Sequence, residues 1–398
     1  MPWKETCAVD ERMGFIVDWQ RDEETVSELC RRYGISRKTG YKLMDRFAAD
    51  GVVGLADRSR APHCHPNATS AEAEAAILAL RRRHRTWGPK KIRAKLRCGR
   101  AELRCPAEST IGAILSRHGL SVPRERRAKT PPSAHPLSAC GAANDVWGID
   151  FKGWFRTADG ERCDPLTVSD LATRYVLRLQ ALERCGADEV QAVLDAAFRE
   201  YGAPRAIRSD NGQPFASTGA GGLSRLSVWL IKLGIAPERI DPGRPQQNGR
   251  HERLHLTLKQ ETASPPACSL RAQQRRFDAF RRTFNEERPH EALDQTPPAR
   301  HYRPAARRYT GRLRAPEYPD HQRVRKVRSN GEIKWCGELV FIGEALVGEP
   351  IGLAQVGDDQ WLLHYGPVPL GHLDHSGTFT RLKGRARPPL QPQPQPPG

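Results

Sequence analysis

The stretch Ile207-Arg-Ser-Asp-Asn-Gly-Gln-Pro-Phe215 decides the fold, because it has the pattern of a short apolar strand that runs into a tight turn. Asn and Gly tolerate the left-handed backbone that such turns require. Asp210 stands at the carboxyl end of this predicted strand, a position well suited to chemistry. Taken alone, the segment is more simply an ordinary Asx turn. Its interpretation therefore depends on the rest of the chain.

Two further stretches each carry a carboxylate of interest, and they are Asn144-Asp-Val-Trp-Gly-Ile-Asp-Phe-Lys-Gly153 and Arg244-Pro-Gln-Gln-Asn-Gly-Arg-His-Glu-Arg-Leu-His-Leu-Thr-Leu-Lys259. Asp150 lies inside an apolar strand pattern, where a carboxylate is costly unless it is paired, hydrogen-bonded or metal-bound. Glu252 lies on a predicted helix, and alone it would be read as a solvated charge. On that helix Asn248, His255 and Lys259 share the face of Glu252.

The segments around Asp210 alternate between strand and helix patterns. Residues 163–169 and 175–179 predict an antiparallel pair of strands, and residues 186–201 predict an amphipathic helix. The strand at 204–209 would then return after a helical crossover, followed by a further helix at 223–233. An α/β domain with Asp210 at a strand end is the expected result.

The charge balance predicts a polyanionic partner. The chain has 64 Lys and Arg residues against 46 Asp and Glu residues, a formal net charge of +18. Nucleic acid is the first candidate. A membrane surface is disfavoured, because the sequence has neither a run of apolar residues long enough to span a bilayer nor a signal sequence. We therefore expect a soluble, cytoplasmic protein that associates with the nucleoid.

The ten cysteines form no Cys-x-x-Cys pair, so reduced structural thiols are expected. His63-Cys64-His65 is a weak zinc candidate, because neighbouring residues do not easily surround one tetrahedral ion.

Residues 10–55 predict a helix-turn-helix domain. Gly34 would end the second helix and Ser36 would cap the third, which is basic and suited to the major groove of DNA. The alternative is a helical hairpin with a solvated basic face. The predicted base or phosphate contacts are Arg37, Lys38, Thr39, Tyr41 and Lys42.

Residues 68–120 predict a second helix-turn-helix domain, with a capped start at Ser70 and a helix restart near Pro89. Its basic runs are also compatible with solvated faces. The predicted DNA contacts here are Lys90, Lys91 and Arg93. A basic, proline-containing linker follows at 121–143.

Asp150, Asp210 and Glu252, each in its surrounding motif, resemble the three acids of the DDE-type (Asp-Asp-Glu) insertion-sequence transposases, within the retroviral integrase catalytic-core superfamily. The catalytic resemblance covers roughly residues 144–300, and the helical units before it are similar to that family as well. It implies a ribonuclease-H-like integrase core over 144–305. Between Asp210 and Glu252 lie 41 residues, more than in many relatives, and the glycine-rich stretch at 217–222 accounts for the excess.

The resemblance also implies a two-metal site. Three close carboxylates repel one another unless cations neutralise them, and oxygen ligands suit Mg²⁺ or Mn²⁺. Asp150 would bridge two ions, and Asp210 and Glu252 would hold one each. The side chains that could orient the acids or grip phosphate are Asn211, Asn248, His251, Arg253 and Lys259.

Beyond the core, short β patterns separated by glycine turns predict a small β-barrel over 320–378, and the proline-rich tail at 385–398 is expected to be disordered. The predicted fold class is thus multidomain: all-α helix-turn-helix units, a central α/β ribonuclease-H-like core and a C-terminal small β-barrel.

The leading functional hypothesis is a transposase that binds the terminal inverted repeats of its element as double-stranded DNA, cleaves there and joins the ends to target DNA. Because two ends must meet, a homo-oligomer on DNA is expected. One alternative is a non-catalytic DNA-binding regulator or decayed relative, and another is a nuclease of the same fold without sequence specificity.

Overall fold

The computed structural model describes five stretches of the chain, which are residues 7–60, 68–99, 102–121, 137–241 and 244–382. The chain divides into two compact units, Met1–Ala68 and Thr69–Gly398. The histidine and cysteine cluster at 63–65, most of the predicted linker and the predicted tail lie outside the described residues. Within the described part, no helix has both the length and the apolar character needed to cross a membrane.

Three helices form the first unit: α1 (Ala8–Gln20), α2 (Val26–Arg32) and α3 (Arg37–Asp50). The turn before α3 has the predicted chemistry, because Gly34 adopts a φ of +64° and the Ser36 hydroxyl accepts a hydrogen bond from the amide three residues later. A 3-10 turn, Gly51–Leu55, follows α3, and Leu55 is buried in the same small core. The predicted helix-turn-helix is confirmed.

The second unit begins with three more helices: α4 (Ala71–Arg83), α5 (Pro89–Gly99) and α6 (Glu108–Arg117). As predicted, Ser70 caps α4, with its hydroxyl 3.3 Å from the Ala73 amide. Trp87, between α4 and α5, is fully buried at the centre of the core that these helices share.

A central sheet follows, and its elements in chain order are β1 (Val146–Phe151), β2 (Phe155–Arg156), β3 (Arg162–Asp170), β4 (Val176–Leu182), α7 (Ala187–Tyr201), β5 (Ala206–Ser209), α8 (Arg225–Lys232), β6 (Ala236–Arg239), α9 (Gly249–Thr262) and α10 (Leu270–Arg282). β3 pairs antiparallel with β1, β2 and β4, whereas β5 is parallel to β1 and to β6. The predicted strands, the crossover helix and the later predicted helices are present. The short strands β2 and β6 were not predicted.

The two faces of the sheet are covered by different helices. Trp147 and Ile149 of β1 point into a core shared with α7 and α8, while the opposite face packs on α9 and α10 around Phe277. Because side chains alternate along a strand, Gly148 and Asp150 face α9. A Cβ at Gly148 would lie 2.1 Å from His251 Nε2, so glycine is required for this close approach.

The C-terminal strands are β7 (Arg323–Lys326), β8 (Glu332–Trp335), β9 (Glu338–Phe341), β10 (Pro350–Gly357), β11 (Gln360–Tyr365), β12 (Val368–Asp374) and β13 (Phe379–Arg381). They form an open five-stranded sheet in the order β13-β12-β11-β10-β7 and a separate β8-β9 hairpin. The predicted small β-barrel is therefore not confirmed. Its closure would require the edge strands β7 and β13 to find partners, and among the described residues each pairs on one side alone.

The glycine-rich stretch at 217–222 holds this C-terminal sheet against the core. Ala220 and Leu223 are buried in the apolar cluster of the C-terminal sheet, and Gly221 adopts a φ of +61° where a Cβ would lie 3.0 Å from Val368. Arg239 of β6 donates to the carbonyl oxygens of both Gly221 and Gly222 at 2.6 Å. The extra residues between Asp210 and Glu252 thus form a docking surface beside the central sheet.

Candidate active site

Asp150 lies near the end of β1, under helix α9. Its side chain is 16 % exposed, and Asn248, at the start of α9, donates from Nδ2 to Asp150 Oδ2 at 2.7 Å. The helical spacing had placed Asn248 on the catalytic face, and this contact agrees with it. The amide holds one carboxylate oxygen in place, and that oxygen keeps a second lone pair for a further ligand.

Asp210 follows the last residue of β5, the parallel neighbour of β1. The two strands pair with Gly148 beside Arg208, and two further residues in the same register bring Asp210 alongside Asp150. The Gly212 amide donates to Asp210 Oδ1 at 3.1 Å, and the Asn211 side chain donates to the carbonyl oxygen of Ile240 at 3.0 Å. The Asx turn read from the sequence is therefore real, and it holds the carboxylate in place.

Glu252 lies in the first turn of α9 with an exposed side chain. The helix is anchored on both sides of this residue, because His251, Leu254 and Leu258 are buried. The charge of Glu252 is close enough to Asp150 to raise the pKa of that carboxyl group. The third acid therefore belongs to the same electrostatic neighbourhood, on the most solvent-accessible side.

The pKa of Asp150 is raised to about 7, first because the group is buried and second because the negative charge of Asp210 lies beside it. The hydrogen bond from Asn248 opposes this shift. A carboxylate in these surroundings is stabilised by a nearby cation. The acids therefore fit a divalent metal ion, since hard oxygen donors with uncompensated charge are the ligands that Mg²⁺ and Mn²⁺ take in proteins.

Two histidines of α9 form a polar network under the site. His251, 1 % exposed, lies 3.3 Å from the hydroxyls of both Thr167 and Ser169, and His255 Nε2 lies 2.9 Å from Thr167 Oγ1. Burial lowers the pKa of His251 to about 4 and that of His255 to about 3, so both rings are neutral. Asp150, His251 and His255 offer ligand atoms within 4.8 Å of one another. His251 packs between α9 and the sheet, and its role in orienting the acids stays a prediction.

Basic side chains border the carboxylates. Arg253 and Lys259 of α9 are exposed, as a phosphate contact requires. Lys152 was not singled out from the sequence, although it stands two residues after Asp150 and so points to the same face of the strand. Burial and the charge of Lys259 lower the pKa of Lys152, which places these two cations near each other at the site.

The predicted DNA contacts of the two helical units differ in their surroundings. In the first unit, all five predicted contacts lie on α3 and are exposed. They are Arg37, Lys38, Thr39, Tyr41 and Lys42. In the second unit Lys90 Nζ lies 2.7 Å from Glu291, and Lys91 Nζ donates to the carbonyl oxygen of Pro289. Burial lowers the pKa of Lys91 to about 8.

The start of α5 therefore contacts the core in this structure. Arg93 also has a protein neighbour, since its guanidinium lies 3.8 Å from Glu108 of α6. Lys90 and Lys91 thus each have a protein partner in this arrangement, and their assignment as DNA contacts stays a prediction. Contacts with residues some 200 positions away in the chain cannot be read from the local basic pattern.

Known protein families match most of the regions described above. Two models described as "Integrase core domain" match residues 141–245 and 233–298. A "Helix-turn-helix domain" model matches residues 11–63, and a "Homeodomain-like domain" model matches residues 39–115. The integrase-type core and the helix-turn-helix units predicted from sequence are thereby confirmed.

Relatives come from bacterial insertion elements. The chain is 28 % identical to the insertion element IS476 uncharacterized 39.2 kDa protein of Xanthomonas euvesicatoria, over 71 % of this chain and 79 % of that protein. It is 31 % identical to the insertion element IS407 uncharacterized 31.7 kDa protein of Burkholderia multivorans, over 46 % of this chain and 64 % of that protein, just under two thirds. Among solved structures, the HTLV-2 integrase catalytic core domain in complex with magnesium is similar, with 15 % identity, a TM-score of 0.32 and coverage of 40 % of this chain and 98 % of that one.

Proposed function

Because this chain belongs to the insertion-sequence transposases of the retroviral integrase superfamily, we propose that it binds the ends of a mobile element and cleaves and joins DNA strands at Asp150, Asp210 and Glu252. The observation that carries the proposal is the pairing of β1 with β5, which sets Asp150 beside Asp210 under the helix that bears Glu252. Its substrates are the double-stranded terminal repeats of the element and a target DNA.

The three acids would hold two divalent ions, with Asp150 shared between them and Asp210 and Glu252 taking one each. When bound, Mg²⁺ or Mn²⁺ supplies activation of a water or a DNA 3′-hydroxyl and stabilisation of the leaving oxygen in an in-line displacement. The protein contributes orientation: Asn248 fixes one oxygen of Asp150, and the Gly212 amide fixes one oxygen of Asp210.

Phosphate is held by the cations around these acids. Lys152, Arg253 and Lys259 would contact the backbone next to the scissile bond and orient it toward the carboxylates. The exposed face of α3 would enter the major groove of the terminal repeat. Since two ends must be brought together, we propose that the active complex on DNA is at least a dimer, and a monomeric active complex by light scattering would contradict this.

The experiment is a strand-cleavage and strand-transfer assay on DNA that flanks the coding region, with scrambled DNA of equal length as the control. Cutting at the element ends and joining of their 3′-hydroxyls to target DNA, dependent on Mg²⁺ or Mn²⁺, is the expected result. Equal cutting of the scrambled DNA would favour a nonspecific nuclease. Specific binding without cutting under either metal would favour a regulator.

The Lys38→Ala, Lys42→Ala double variant is expected to weaken binding to terminal-repeat DNA, because both side chains are exposed on α3. If each contacts a phosphate, the slope of log K against log salt falls by about 2. Fluorescence anisotropy titrations over a series of salt concentrations measure this slope. The matched control removes two exposed cations outside α3, Arg21 and Arg31, and is expected to keep the wild-type slope. An unchanged slope in the α3 variant would show that these α3 side chains do not contact the DNA phosphates.

A further inference from the structure

His255 occupies a position next to Asp150 that the proposed function leaves without a role. It lies three residues after Glu252 on α9 and is 7 % exposed. One ring nitrogen, Nε2, lies 2.9 Å from Thr167 Oγ1, and the other, Nδ1, lies 4.0 Å from Asp150 Oδ2. The ring thus connects a buried hydroxyl of β3 to the first carboxylate.

The surrounding hydrogen bonds determine which nitrogen of His255 carries the proton. The Thr167 hydroxyl has one hydrogen, and its partners other than His255 are the carbonyl oxygen of Asp150 at 3.0 Å and His251 Nδ1 at 3.3 Å. The carbonyl oxygen can only accept, so Thr167 donates its hydrogen there. Thr167 must then accept from His255, which makes His255 Nε2 the protonated nitrogen.

Nδ1 of His255 consequently presents a lone pair toward Asp150. Asp150 Oδ2 is also an acceptor: it accepts a hydrogen bond from Asn248 and, as a carboxylate oxygen, has a second lone pair. Two acceptor atoms facing each other at 4.0 Å repel unless something electropositive lies between them. Two metal–ligand bonds of about 2.1 Å each span at most about 4.2 Å, so a small divalent ion fits this separation.

We propose that His255 Nδ1 is a nitrogen ligand to the divalent ion held by Asp150, which gives this ion a mixed oxygen and nitrogen donor set. The proposal rests on the proposed function, in that it assumes a metal at Asp150. His251 is not a ligand, because both of its nitrogens face hydroxyl groups of β3.

A nitrogen ligand changes which metal the site prefers. Mg²⁺ takes oxygen ligands almost exclusively, whereas imidazole favours transition metals over it. The chain is therefore expected to bind Mn²⁺ more tightly than Mg²⁺ by a larger factor than an all-carboxylate site would. Removal of the nitrogen should reduce that ratio.

The test uses the full chain with Mn²⁺ as the probe. Electron spin-echo envelope modulation detects a nitrogen bonded to Mn²⁺, and growth with ¹⁵N-histidine identifies that nitrogen as a histidine without any substitution. The expected result is a coordinated-nitrogen signal that shifts on ¹⁵N labelling. Mn²⁺ bound without such a signal would overturn the proposal.

The variant His255→Gln tests whether the coordinated nitrogen belongs to His255. The Gln amide can still donate to Thr167 but has no nitrogen facing Asp150. It should bind Mn²⁺ without the nitrogen signal, and its Mn²⁺ to Mg²⁺ affinity ratio by titration calorimetry should fall. The matched control His251→Gln, a buried histidine of the same helix, should retain the signal. A signal that survives in His255→Gln would overturn the proposal. Failure of the wild-type chain to bind Mn²⁺ at all would instead count against the proposed function.

Discussion

Asp210→Asn is expected to abolish strand cleavage and strand transfer, with a loss of at least about 10³-fold in rate. The substitution keeps the shape of the side chain and its acceptor for the Gly212 amide, so the turn after β5 should persist. What disappears is one of the two adjacent negative charges that raise the pKa of Asp150 and attract a divalent ion. The rates are measured on pre-cleaved terminal-repeat DNA in Mg²⁺ and in Mn²⁺.

The control for this loss is Asp278→Asn on α10, an exposed carboxylate of the same core domain that is expected to keep wild-type rates. Both variants should bind terminal-repeat DNA as tightly as the unmodified chain, because neither touches α3. If the strand-transfer rate of Asp210→Asn were within a few-fold of the wild-type rate, Asp210 would not be a catalytic residue.

Asp150→Asn is expected to stabilise the metal-free protein at pH 8, although it removes one of the three proposed catalytic acids. Asp150 has a pKa of about 7 in the folded state because of burial and the neighbouring Asp210, against an ordinary value of 3.8. Below about pH 4 the carboxyl group is protonated in both the folded and the unfolded state, so it has no effect on the free energy of unfolding. As the pH rises from 4 to 7 the unfolded chain releases the proton first, so the free energy of unfolding falls, by up to about 4 kcal/mol above pH 7.

Thermal unfolding with EDTA at pH 4 and at pH 8 measures this effect, and the difference between wild type and variant cancels the other titrating groups. The variant should unfold at a higher temperature than wild type at pH 8 and at the same temperature at pH 4. Asp170→Asn is the contrasting control. That buried carboxylate accepts from the Asn144 amide and from both the amide and the hydroxyl of Thr173, so its loss should destabilise the protein. A destabilised Asp150→Asn at pH 8 would contradict the electrostatic account of the site.

The parts of the fold that were predictable are those whose signals are local. The apolar pattern of β1, the turn chemistry after β5 and the capping serines at Ser36 and Ser70 each act within a few residues. Strand β6 carries a proline and no clear alternation, and it forms because β5 offers a parallel edge. Closure of the C-terminal strands likewise depends on edge pairing, which the repeating β patterns do not encode.

The same distinction applies to the site. Helical spacing alone brought Asn248 and His255 to the face of Glu252, because positions along one helix are geometrically related. The contacts of Lys91 with Pro289 and of Gly221 with the C-terminal sheet join segments far apart in the chain. A run of basic residues predicts local charge, and a glycine-rich run predicts turns. Neither pattern identifies the surface against which the segment packs.

The central claim is that Glu252 joins Asp150 and Asp210 in one catalytic site in spite of the intervening docking stretch at 217–222. The most direct test is strand transfer by Glu252→Gln on pre-cleaved terminal-repeat DNA in Mg²⁺, beside the exposed control variant Asp278→Asn. The account predicts a loss for Glu252→Gln as large as that for Asp210→Asn, with terminal-repeat binding unchanged and the Asp278 variant active. Strand transfer by Glu252→Gln at close to the wild-type rate would contradict it.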